Sequence, residues 1–141
     1  MLTQSAVPLP SLDEQLSTMS IKRIEVFVIP AFEAGSSGFR VRLRITSNLG
    51  YGWSELFISS SEKPLDWSSW SSLLLRFIGI YRHTFFTNGY YDRASNDERI
   101  YRLFFNAAER VGIQPPYPNS REYQTEESIL LEQAISYVSL F

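Results

Sequence analysis

The chain has 141 residues, 44% of them hydrophobic, with 10 Phe, 8 Tyr and 3 Trp; that is enough apolar surface to fold one domain, and it excludes general disorder. Its formal net charge is -2 at 20% charged residues, and all but two of its 13 basic residues are arginine, so there is no basic field to attract nucleic acid or an anionic membrane. Cysteine is absent, which removes disulfides and thiolate chemistry.

Met1 to Ser20 carries Pro8, Pro10 and many small polar residues, and reads as a mobile arm with a helical turn at Leu12 to Met19. It has neither the basic start nor the apolar stretch of a secretory signal. No apolar run approaches the roughly 20 residues of a membrane span, so a cytoplasmic location is expected. Residues 21–141 are expected to form a single domain. Ile21 to Ala31 is the first predicted strand, with Ile24, Val26 and Val28 on one face and Phe27 and Ile29 on the other. Glu33 to Gly38 reads as a flexible loop. Phe39 to Ser47 alternates apolar and polar residues almost without fault, the mark of a strand with one buried and one wet face. Asn48-Leu49-Gly50 is a tight turn, and Tyr51 to Ile58 is a third strand, which makes an antiparallel meander.

The period then changes. Ser59 to Pro64 is a polar loop. Asp66 is placed to cap a helix whose stripe is Trp67, Trp70, Leu74, Phe77, Ile78 and Tyr81. Thr87 to Ala94 reads as a loop. Ser95-Asn96-Asp97-Glu98 is a capping box, opening a helix with the stripe Ile100, Leu103, Phe104, Ala107, Ala108 and Val111, stopped by Gly112. Gln114 to Ser120 is a proline-rich linker, and a third helix is predicted over about Thr125 to Leu140, with Glu126 and Glu127 in its first turn. Strands first and helices after give an α+β domain: a three-stranded meander with about three helices packed on one sheet face.

Two segments carry a family resemblance. The first is the run from the strands into Gly50-Tyr51-Gly52-Trp53-Ser54-Glu55. The second is Leu130-Leu131-Glu132-Gln133-Ala134-Ile135 near the other end. Together they resemble the N-terminal capping domain of the enolase superfamily, in the mandelate racemase and muconate-lactonizing branch. The resemblance covers about Ile21 to Val138. Ser54 stands where that family usually has glycine, and Tyr137 where it usually has aspartate. In the family, a barrel of about 250 residues supplies the metal ligands and the catalytic base, and this chain is too short to include one. The resemblance therefore implies the fold without the activity, and no cofactor or metal. It also implies that two loops, Ala31 to Gly38 and Phe57 to Pro64, correspond to those that close over a barrel mouth; the ordinary alternative is two surface loops.

Glu55 shares a strand face with Tyr51, Trp53 and Phe57. A carboxylate among aromatics can act as an acid; the simpler expectation is a pair with Arg40, Arg42 or Arg44 on the neighbouring strand. Those arginines form a solvated strand face or, alternatively, an anion or partner site. His83 is the one histidine, so no multi-histidine metal site or Ser-His-Asp arrangement is readable. The aromatic residues, Trp53, Trp67, Trp70, Tyr81, Phe85, Phe86, Tyr90 and Tyr91 among them, exceed what a small domain buries, which points to an interface. The expected binding residues are Trp53, Glu55, Phe57, Arg42 and Arg44, and the expected interface residues Ile135, Val138 and Phe141. Three functions compete. The first is a non-enzymatic interaction module that self-associates or binds another protein chain. The others are the capping subunit of a split enzyme and a small-molecule binder with an aromatic pocket.

Overall fold

The computed structural model describes residues 19–79, 98–112 and 129–141. Strand β1 (Ile21–Glu33) pairs with β2 (Ser36–Ser47), and β2 with β3 (Gly50–Ser59), all antiparallel, as the alternating pattern requires. Both connections are two residues long. In the first, Ala34 and Gly35 both take positive φ, at 50° and 78°, the conformation of the hairpin turn that matches strand twist. The expected Glu33–Gly38 loop is thus mostly strand, and β1 and β2 stay paired up to the Ala34-Gly35 turn.

Among the described residues the sheet has four strands, in the order β3-β2-β1-β4. The fourth, β4 (Ser136–Leu140), replaces the last part of the third helix predicted over Thr125 to Leu140; residues 129–133 are helical. Ile135 and Val138 fit a helical stripe, but Ser136 to Leu140 also alternates at period two. Pairing with the β1 edge satisfies its backbone and puts Val138 opposite Val26 and Leu140 opposite Ile24.

One sheet face carries the core. Ile24, Val26, Val28, Val41, Leu43 and Ile45 are fully buried there against helix α1 (Trp67–Ser72), the following 3₁₀ turns at Leu73–Phe77, and helix α2 (Glu98–Arg110). Asp66 caps α1: its carboxylate accepts from the Ser68 N–H at 3.1 Å and the Ser69 hydroxyl at 2.7 Å. Those bonds, the serine hydroxyl first, hold its carboxyl below the usual carboxylate range. The first helix is shorter than its stripe indicated. Leu74 and Phe77 stay on the buried side through the 3₁₀ turns, and Gly79, at φ 79°, turns the chain while its N–H bonds the Ile21 carbonyl at 2.7 Å. Tyr81 lies outside the described residues.

Helix α2 follows its predicted stripe, with Ile100, Leu103, Phe104, Ala107 and Ala108 buried and Gly112 at positive φ beyond its end. Its seat is the Gly52-Trp53-Ser54 segment. A Cβ at Gly52 would collide with the Ala107 carbonyl and lie 2.7 Å from a Val111 methyl, while the Ser54 hydroxyl donates to the Leu103 carbonyl at 2.6 Å. Gly52 and Ser54 therefore hold α2 against β3, the first by close backbone approach and the second by a hydrogen bond.

Candidate functional site on the arginine face of the sheet

The opposite sheet face is built by the even positions of β2 and the odd positions of β1 and β3. Cross-strand register sets two rows: Ser139, Glu25, Arg44, Trp53 and, beside it, Tyr137, Phe27, Arg42, Glu55. The structure thus brings together four of the five expected binding residues, Trp53, Glu55, Arg42 and Arg44. Phe57 lies further along β3, where its ring occupies space that a side chain at Gly38 would fill.

The three arginines are not equally solvated. Arg40 pairs with Glu33, and Arg42 with Glu55 at 3.7 Å, which is the simpler of the two roles foreseen for Glu55. Arg44 is nearly buried, and its Nε and Nη2 donate to Glu25 Oε1 at 2.7 and 2.5 Å. Arg42 and Arg44 also sit 5.0 and 5.2 Å from the Trp53 ring centroid, and Arg44 lies 5.5 Å from that of Tyr51. Phe27 stacks on Trp53 at 6.0 Å and tilts against Tyr137 at 5.0 Å.

Glu25 and Tyr137 are the members that sequence reasoning missed. Glu25 is fully buried, and its second oxygen accepts from the Tyr137 hydroxyl at 2.6 Å, with Arg23 at 3.7 Å. The available signal was its period-two relation to Phe27, which places it on the face of the β2 arginines. Tyr137 could join it only after β4 was recognised as a strand. Burial first, and the bond to the Glu25 carboxylate second, push the Tyr137 phenol above its usual range.

At the β3 edge a depression of about 200 Å³ is lined by Arg42, Trp53, Ser54, Glu55 and Arg110. Arg110, from the last turn of α2, reaches it and donates to the Trp53 carbonyl at 3.1 Å. The depression is smaller than the roughly 300 Å³ at which small-molecule sites begin. Among the described residues no group of three His, Cys, Asp or Glu side chains is placed to hold a metal ion, and no helix is long and apolar enough to cross a membrane.

The expected interface residues do not form one patch. Ile135 is exposed just before β4, Val138 packs half-buried against the core, and Phe141 is exposed beyond the far end, with Arg23 5.8 Å from its ring centroid. The two expected capping loops do meet. The Ser60 hydroxyl donates to the Ser37 carbonyl at 3.1 Å, tying the 57–64 segment to the β1–β2 hairpin. His83, Phe85, Phe86, Tyr90 and Tyr91 lie outside the described residues. No family model, curated protein or solved structure matches the chain.

Proposed function

We propose that this chain is a non-catalytic protein-interaction module, resembling an enolase-superfamily capping domain, that associates with a second copy of itself or with another protein chain. The observation that carries this reading is the set of large apolar side chains left in solvent. Phe32 is 72% exposed, Ile135 55% and Phe141 82%, and Leu65 is fully exposed. Three of them belong to one end of the sheet. Phe32 lies in β1 beyond Val28, whose carbonyl accepts the Ile135 N–H at 2.8 Å. Leu65 leads into Trp67, which meets the ring of Phe39, the residue paired with Pro30. The carboxylates of the arginine face, Glu25, Glu33 and Glu55, are committed to arginines, which supports binding over acid–base chemistry. The test is sedimentation velocity at tens of micromolar, an order-of-magnitude choice above typical obligate-dimer constants. A dimer is expected, and a purely monomeric protein overturns self-association.

The joining of the two loops through Ser37 and Ser60 favours a second reading, the capping subunit of a split enzyme whose barrel is on another chain. A monomer that forms a stable complex with a barrel chain from its own cell would establish that reading in place of the first.

A further inference from the structure

We propose that two copies of this chain join edge to edge along β3, from Glu55 to Ser59, so that their sheets run on as one. This rests on the self-association proposed above and names a partner and register for it, with a seam on the sheet edge opposite β4 that leaves Phe32, Leu65, Ile135 and Phe141 outside it. The two-residue turn from Ser47 to Gly50 makes those residues a hydrogen-bonded pair. Alternation then sends the backbone groups of Gly52, Ser54, Leu56 and Ile58 to β2, and those of Trp53, Glu55, Phe57 and Ser59 outward. The Arg110 bond to the Trp53 carbonyl agrees with this, since that oxygen is reached from outside the sheet.

Arg110 guards the first half of the edge. In the second half, among the described residues, no backbone bond reaches the outward groups of Glu55 and Phe57. After Ser59 the chain turns back over β2, where Ser60 bonds the Ser37 carbonyl, so among the described residues the continuation of β3 does not cover this edge.

The residues select one two-fold register. With Phe57 opposite its own mate, Glu55 faces Ser59 and Leu56 faces Ile58, so no like charges meet. A register centred on Glu55 sets that carboxylate against itself. One centred on Leu56 needs the Trp53 carbonyl that Arg110 holds. Helix placement agrees. Helix α2 runs antiparallel to β3, with Arg99 on the Glu62 carbonyl at 2.9 Å and Arg110 at Trp53. A two-fold axis at Phe57 therefore brings the two helices together at their N-termini and sends their bodies apart, where an axis near Trp53 would stack them in the same space.

The chain has no cysteine, so single cysteines report cleanly. In this register Phe57 and its mate have Cα atoms about 5.5 Å apart, within disulfide reach. Phe57→Cys should convert to a covalent dimer under mild oxidation. Ser59→Cys, about 13 Å from its mate at about 3.3 Å per residue, should not. Mixing Glu55→Cys with Ser59→Cys protein should trap a heterodimer that keeps Phe57 in place. Both cross-links, together with a wild-type dimer, establish the register. A wild-type dimer without either cross-link, or with Ser59→Cys linking as fast as Phe57→Cys, overturns edge pairing and leaves self-association standing. A wild-type monomer overturns both.

Discussion

Removing Glu25 tests whether the arginine face is held together by its buried ion pair. Glu25→Ala leaves the Arg44 guanidinium, 4% exposed, without the oxygen to which two of its nitrogens donate, and it takes the acceptor from the Tyr137 hydroxyl. Breaking a buried pair from one side costs roughly 3–5 kcal/mol, because the remaining charge keeps its desolvation penalty. The Trp53 and Tyr51 rings stay beside Arg44 in both proteins and cancel in the comparison, so a loss of about 3 kcal/mol, the low end of that range, is expected. A domain of this size has roughly 5–15 kcal/mol in all. Urea unfolding followed by tryptophan fluorescence should show the midpoint falling by about 1–3 M at an unchanged slope of roughly 1–3 kcal/mol/M. The double variant Glu25→Leu/Arg44→Met should recover most of the loss, since neither charge is then buried. A loss below about 1 kcal/mol for Glu25→Ala, or a double variant as weak as the single, would refute the reasoning.

Gly52→Ala should destabilise by about 1–3 kcal/mol, since its new methyl drives into the Ala107 carbonyl and α2 must lift; Ser54→Ala should cost only about 1 kcal/mol, the worth of one hydrogen bond. Thermal melts of the two variants check the order. Ala34→Asn should stabilise by roughly 0.5–1 kcal/mol, since Ala34 is held at φ 50° in a turn that prefers Asn-Gly, and a lower melting temperature would contradict this. The Tyr137 phenol is raised above its usual value near 10 by burial and by Glu25, so the folded state holds its proton longer than the unfolded chain does. The stability it contributes is complete below pH of about 10 and is lost as pH climbs through the folded value. Alkaline unfolding curves should therefore flatten in Tyr137→Phe, and an identical pH dependence in the two proteins would count against the Glu25 contact.

What the sequence determined by itself was local and periodic. The alternation of Phe39 to Ser47 placed Val41, Leu43 and Ile45 in the core and Arg40, Arg42 and Arg44 together on the other face, because a strand's side chains can point only two ways. The stripe of α2, the Asp66 cap and the Asn48-Leu49 turn were legible for the same reason: each is decided within a few residues. Tertiary structure decided what depends on distant partners. Ser136 to Leu140 carries both a helical and a strand period, and the unpaired edge of β1, more than a hundred residues earlier, settles it as a strand. That choice in turn delivers Tyr137 to Glu25, and the register of β1 against β2 delivers Glu25 to Arg44, burying a carboxylate that looks like an ordinary polar strand residue in one dimension. Gly52 likewise reads only as a glycine of the third strand and of the Gly50 to Glu55 signature, and only the approach of Ala107 shows it to be the seat of a helix. Periodicity fixes which side a residue faces, but what waits on that side is set by chain closure over long sequence separations.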